Sequence, residues 1–265
     1  MMLRLGVGQT DLKLGDIEYN IGQTSKILED ATESNVDVLV LPELANSGYC
    51  FDNRDEAVSA SETIPRGVYS RLLRDWSKGS GFVAAGILER EGEILFNSAA
   101  AFAKGKFVGV YRKAHLYGDE NVWFHPGDKE PPVFEFKDWK IGMMICFEWM
   151  FPEMARILAL QGAQVILHPT NSGSAFWRTA MKVRSAENRV FTASSNRIGR
   201  ERWFPFSGGS QITNPRGKGL LKMKRDESGV GWVDIEPSDA DNKMISDVNH
   251  LLDGRNVSVY GRLLS

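Results

Sequence analysis

Cysteine is scarce in this chain: Cys50 and Cys146 are the two among 265 residues. That excludes a disulfide-built scaffold, and such sparse use points to a reducing compartment. Histidine is nearly as rare. His115, His125, His168 and His250 are dispersed, and neither a paired-Cys motif nor H-E-x-x-H occurs, so no metal site is expected. A P-loop and a dinucleotide fingerprint are missing too; "SGGS" at 207–210 is a glycine pair that reads as a turn or a close backbone approach. Charge of one sign is also lacking. With 32 Lys and Arg against 34 Asp and Glu, the net charge of −2 gives no general attraction to nucleic acid or to an anionic membrane surface. No apolar run nears the ~18 residues of a membrane span. The opening "MMLRLGVGQTDLKLGD" has neither the basic head and apolar centre nor the cleavage site of a secretory leader, so a cytoplasmic location is expected.

What is present is ordinary globular composition, 42% apolar and 25% charged, in a chain long enough to bury a sizeable core. No linker or composition break divides it, so residues 1–265 are expected to form one domain. The terminal stretch 256–265 is expected to be a tail that docks on a partner subunit. Strand-like runs alternate with helical spacing. Leu3 to Gln9 reads as a strand, Ile21 to Ser34 as a helix, and "VDVLVLPE" as a strand buried on both faces. A helix from Val68 to Lys78 precedes "GFVAAGILER", "LFNSAAAFA" and "FVGVYRK", three strands joined by turns. The second half repeats the grammar with strand "KIGMMIC", helix "PEMARILALQGA", strand "QVILHPT", helix "AFWRTAMKVRSAEN" and further strands, which makes the class α/β.

Ligands of open parallel α/β sheets bind beyond the carboxyl ends of the strands, where loops present side chains. Three of those ends carry reactive groups here. "VDVLVLPE" finishes on Glu43, "FVGVYRK" on Lys113 and "KIGMMIC" on Cys146. Taken singly, each has a bland reading as a helix cap, a surface charge or a small buried hydrophobe. Together they are what attack on a carbon bound to nitrogen requires. Glu43 takes the thiol proton and later gives it to the departing amine, while Lys113 and the Phe147 N–H stabilise the oxyanion. A thiol so employed is expected to react below the pH of an ordinary one. His115 and His168 are the alternative partners for a cysteine nucleophile; with no orienting Asn or Asp marked beside them, they read as packing or hydrogen-bonding residues.

With "LPELANSGY" around Glu43, "YRKAHLY" around Lys113 and "ICFEWMFPE" around Cys146, the sequence resembles the nitrilase (carbon-nitrogen hydrolase) superfamily. The resemblance extends through "AENRVF", "SSNRIG", "GGSQI" and "VSVYGR", and so covers almost the whole chain. It implies a four-layer α-β-β-α sandwich, assembly as a homodimer or higher homo-oligomer, and no metal or organic cofactor. It also implies Cys146 as nucleophile, Glu43 as base and Lys113 as oxyanion support. A second glutamate of the family follows the lysine motif, and Glu120 takes that place, with Asp119 as the weaker candidate; its implied job is to position Lys113 and the substrate.

Substrate class rests on two departures. True nitrilases of the family typically carry Trp after the nucleophile, where this chain has Phe147. Members acting on dicarboxylic acid monoamides typically carry Arg three residues after the cysteine, where this chain has Trp149 and so lacks a bidentate partner for an anionic tail. The expected substrates are therefore small neutral aliphatic amides, in the manner of the small aliphatic amidase and archaeal-type nitrilase branch, with aliphatic nitriles as the alternative. Tyr49, Trp123, Phe124, Trp149 and Asn171 are the candidate pocket-lining residues. Two other classes stay open: an acyltransferase passing the same thioester to another acceptor, and a non-catalytic binding member. Intact Glu43, Lys113 and Cys146 weigh against the second.

Overall fold

Residues 2–79 and 81–264 are described by a computed structural model. Strand β1 (Leu3–Gln9) leads through α1 (Ile17–Glu33) to β2 (Val38–Val40), then α2 (Arg54–Ser59), α3 (Val68–Ser77), β3 (Phe82–Glu91), β4 (Ile94–Ala103) and β5 (Lys106–Arg112). A single helical turn, α4 (Glu120–Trp123), precedes β6 (Val133–Phe136) and β7 (Trp139–Met143). A 3-10 helix (Cys146–Met150) opens into α5 (Pro152–Leu160), followed by β8 (Val165–Pro169), α6 (Phe176–Asn188) and β9 (Phe191–Ser195). A small hairpin, β10 (Arg200–Glu201) and β11 (Phe204–Pro205), then gives way to β12 (Gln211–Thr213), β13 (Gly219–Lys222) and β14 (Gly229–Ile235).

Twelve of the strands form two six-stranded sheets, ordered β14-β1-β2-β3-β4-β5 and β13-β12-β9-β8-β7-β6. In each, three neighbouring strands run parallel (β1, β2, β3; β7, β8, β9) and the rest antiparallel. Period-2 alternation distributes the side chains. Val38 and Val40 face inward onto the other sheet's Met143, Val165 and Leu167, whereas Leu39 faces outward among Ile27 and Leu28 of α1 and Leu73 of α3. On the far side, Leu158 of α5 packs so closely on β7 that a Cβ on Gly142 would stand 2.8 Å from it. The result is the expected helix-sheet-sheet-helix order. Truncating one of these core leucines to Ala costs about 2–5 kcal/mol.

Local chemistry explains where elements begin. Asp16 caps α1 by accepting from the Tyr19 N–H, which starts the helix earlier than its apolar spacing predicts. Asn53 caps the short α2, and Pro152 occupies the first turn of α5, where its missing N–H costs nothing. "VDVLVLPE" is strand only over Val38–Val40; Leu41 to Glu43 already leave the ladder. Among the described residues no helix is long and apolar enough to cross a membrane. Residues 256–264 of the expected docking tail carry 3-10 turns with Val257, Val259 and Leu263 exposed; Ser265 lies outside the described residues.

Candidate active site

Strands β2, β5 and β7 end at the same edge of the sandwich, and the loops that follow carry Glu43, Lys113 and Cys146. The Glu43 loop lies directly on β3. Gly86 permits this, since a Cβ there would stand 2.3 Å from the Glu43 Cα, and its N–H and C=O bond Pro42 O and Ala45 N at 2.9 and 2.8 Å. Lys113 is pinned by its own N–H to Asn97 O at 2.8 Å. Cys146 has φ +41, a left-handed backbone that is strained for any residue with a Cβ and is found disproportionately where function holds it.

Charged groups converge beneath the surface. Lys113 Nζ lies 2.8 Å from Glu43 Oε1 and 2.8 and 2.9 Å from the two oxygens of Glu120, all three side chains being buried. Asn97 Nδ2 donates to Glu43 Oε1 at 2.7 Å, and Tyr49 Oη to Glu120 Oε1 at 2.8 Å. Glu43 Oε2 is buried and has no hydrogen-bond partner, so one carboxylate oxygen is tied to the lysine and the other is free to receive a proton. Burial works against the charge on Lys113, but Glu120 and Glu43 outweigh it and hold the ammonium more firmly than water does. Burial pushes the Glu120 carboxyl up, against the pull of Lys113.

The thiol sits beside this cluster in a neutral frame. Thr170 Oγ1 donates to Cys146 Sγ at 3.2 Å. Burial, then the Glu43 charge, push the Cys146 thiol up, and Lys113, Thr170 and the Asn171 N–H only partly offset them. The direction is opposite to that expected of a pre-ionised nucleophile: this thiol keeps its proton until a base removes it. His168 cannot be that base. Its Nε2 meets the Cys146 carbonyl oxygen at 2.9 Å, its Nδ1 meets Ser194 Oγ at 3.0 Å, and burial pulls its pKa down to about 4. His115 stacks on Phe151 with ring centroids 3.8 Å apart. Cys50 and Cys146 are both free thiols.

The cleft over Cys146 has a volume of about 540 Å³ and takes in Tyr49, Phe147, Trp149 and Asn171. No charged side chain is among its described lining residues. Asn171 donates through Nδ2 to the Glu43 carbonyl at 2.8 Å and leaves its buried Oδ1 without a partner. Trp123 and Phe124 do not line this cleft. The turn of α4 carries them into a neighbouring cavity of about 330 Å³, which also holds Asp119 and Glu120, and Tyr49, Tyr117, Trp203 and Phe204 border both spaces.

Five residues of the site have no place in the sequence reading. Asn97 is the one with a local signal, an amide inside the apolar run "LFNSAAAFA". Thr170 and the Trp203–Phe204 wall had none. Glu148 is the most consequential: fully buried, it accepts from the Ile145 N–H at 2.7 Å, the Ala114 N–H at 3.0 Å and Tyr111 Oη at 2.5 Å. It thereby ties the residue before Cys146 to the residue after Lys113. Its hint was a carboxylate two residues past the cysteine, in a stretch otherwise apolar.

Known proteins resemble the chain along nearly its whole length. The family model described as carbon-nitrogen hydrolase matches residues 4–242. A protein named nitrilase from Pyrococcus abyssi is 36% identical over 262 residues, spanning 98% of this chain and 100% of its own. An N-carbamoylputrescine amidase of Solanum lycopersicum is 31% identical over 215 residues, 75% of this chain and 72% of its own. Among solved structures, a cysteine-to-alanine mutant of the amidase from Nesterenkonia sp. AN1, in complex with butyramide, superposes with a TM-score of 0.81 at 25% identity, covering 97% of this chain and 95% of that one.

Proposed function

The chain belongs to the carbon-nitrogen hydrolase family, and from that premise we propose that it hydrolyses small neutral aliphatic amides through a thioester on Cys146. The observation that carries this reading is the buried Glu43–Lys113 pair acting on Cys146, which lines a cleft whose described walls bear no charge.

The geometry supports the following steps. Glu43 Oε2 takes the Cys146 proton; because the proton moves between two groups of one buried cluster, the net charge of the site does not change. The thiolate attacks the carbonyl carbon, and its oxygen, gaining charge, is met by Lys113 Nζ and the Phe147 N–H, which the start of the 3-10 helix leaves without an internal partner. Collapse of the tetrahedral adduct breaks the carbon-nitrogen bond as Glu43 returns the proton to nitrogen, releasing ammonia and leaving the thioester. Glu43 next deprotonates a water molecule that attacks the thioester carbon, and the thiol is regenerated as the carboxylic acid leaves. Glu120 acts through Lys113: with two oxygens on the ammonium it fixes where the oxyanion must lie. Asn171 Oδ1 is an acceptor for the substrate N–H, and Tyr49 and Trp149 flank the tail.

Aliphatic nitriles are the second reading, favoured by the full-length relation to a protein named nitrilase. Ammonia release from matched amide and nitrile panels separates the two. Faster turnover of the amides is expected; nitriles turning over while every amide is left untouched reverses the assignment. A mass spectrum of the chain quenched during turnover should carry the acyl group on Cys146.

A further inference from the structure

The segment "SSNRIG" takes no part in the steps above, yet it leads into a buried ion pair behind the cleft. Arg197 is fully buried and bonds both Glu201 and the Leu12 carbonyl, with its guanidinium 4.1 Å over the Phe206 ring. Glu201 is 4% exposed. One of its oxygens takes Arg197; the other accepts the backbone N–H of Tyr49 at 2.8 Å and of Cys50 at 3.0 Å. Those two N–H groups lie in a loop, with no ladder to satisfy them. Gly48 is shaped to the same contact: its φ is +80, and a Cβ there would stand 2.6 Å from Glu201 Oε1 and 2.6 Å from Leu14 Cα.

The other end of Tyr49 reaches the reacting groups, because its hydroxyl holds Glu120 Oε1 at 2.8 Å while Glu120 holds Lys113. Glu201 also stands on β10, whose hairpin carries Trp203 and Phe204, and Phe204 faces Tyr49 with ring centroids 6.3 Å apart. A buried carboxylate is costly unless it is paired and fully hydrogen-bonded. This one meets both conditions, and two of its bonds are spent on the backbone of a residue that touches the catalytic cluster.

We propose that Glu201, held by Arg197, is a positioning residue for the hydrolysis: it fixes the Tyr49 backbone so that the Tyr49 hydroxyl keeps Glu120, and through it Lys113, in place. The role rests on the reaction proposed above. Without it the Tyr49 hydroxyl shifts, one Glu120 oxygen loses its donor, and the ammonium facing the oxyanion is no longer fixed; misplacement by about 1 Å can cost up to about a hundredfold in rate.

Glu201→Gln keeps the size of the side chain and removes the charge that matches Arg197. On the best amide, kcat should fall about tenfold or more with KM within about twofold. Tyr49→Phe should lower kcat in the same way, and the double variant should be no slower than the slower single one, as for residues acting in one chain. If Glu201→Gln does not fold by circular dichroism, Glu201→Asp carries the same expectation, since it keeps the charge but is too short to reach both Arg197 and the two N–H groups. A raised KM at unchanged kcat, multiplicative losses in the double variant, or Tyr49→Phe with unchanged kcat each overturns the proposal. Cys146→Ala separates the two claims: turnover surviving it sinks the reaction itself, whereas an inactive Cys146→Ala beside an unimpaired Glu201→Gln sinks the positioning role alone.

Discussion

The two sheets are built on one plan but carry different chemistry. Leu5 pairs with Val38 in the first sheet as Ile141 pairs with Val165 in the second, and Val38 pairs with Phe82 as Val165 pairs with Phe191. Even the irregularities correspond, with a register shift between Ala101 and Phe102 in one sheet and between Ile212 and Thr213 in the other. Followed past the strand ends, this register makes Thr10 the counterpart of Cys146, Thr170 that of Glu43 and Leu41 that of His168. Lys113 has Arg225 as its counterpart, since Ala100 pairs with Val110 as Gln211 pairs with Lys222. Lys113 is buried and Arg225 exposed. The reason lies in the connections that follow: residues 113–132 fold back with Glu120 onto the lysine, whereas 223–228 run almost directly into β14. The backbone frame offers two similar sets of strand ends, and only the half with the long connection supplies a second carboxylate that lets an ammonium stay charged out of water.

The sharpest way to test this asymmetry is to remove the charge that has no counterpart. Glu43→Gln should abolish turnover, a loss of roughly three orders of magnitude or more. Because the Glu43 charge pushes the Cys146 thiol up, the same variant should let Cys146 ionise at lower pH than in the parent. Alkylation rates measured against pH would then begin to rise earlier in an enzyme that no longer works; an unchanged alkylation profile would break the link between base and nucleophile.

A smaller effect follows from the lysine and its counterpart. Lys113→Met leaves two buried carboxylates without their cation and should cost about 3–5 kcal/mol in denaturant unfolding. Arg225→Met should leave the unfolding midpoint essentially unchanged, and equal losses in the two variants would erase the distinction. The smallest effect belongs to His168, the counterpart of Leu41. Its pKa is pulled from near 6.5 to about 4 by burial, so the folded state keeps a neutral imidazole that the unfolded chain protonates. Its contribution is intact above about pH 6.5 and is lost as pH falls from there toward 4, by at most about 3 kcal/mol. His168→Leu should remove that part of the acid sensitivity, read as the difference between the two stability-pH curves.

Local patterns made half of this legible. Glu43, Lys113 and Cys146 each end an apolar run, and a strand end is readable from a dozen residues. Glu120 came from the family resemblance and not from a local pattern, and the structure sets it on Lys113 with both oxygens. Trp123 and Phe124 show the limit: three and four residues past Glu120, they line the neighbouring cavity beside it and not the cleft over Cys146, because the α4 turn brings residues at that spacing together. Glu148 and Glu201 were out of reach for a different cause. Each is an ordinary polar letter until the fold brings backbone N–H groups from distant segments against it. The direction of the Cys146 shift was equally hidden, since burial is a property of the packed cluster and not of the residue.

In the proposed reaction the proton acceptor hangs from one sheet and the sulfur from the other, so neither layer holds a usable reagent pair. Separately expressed halves, cut between β5 and β6, would each be inert however well folded, and any recovered ammonia release would count the sandwiches that had closed. Turnover in this molecule is thus a readout of lamination.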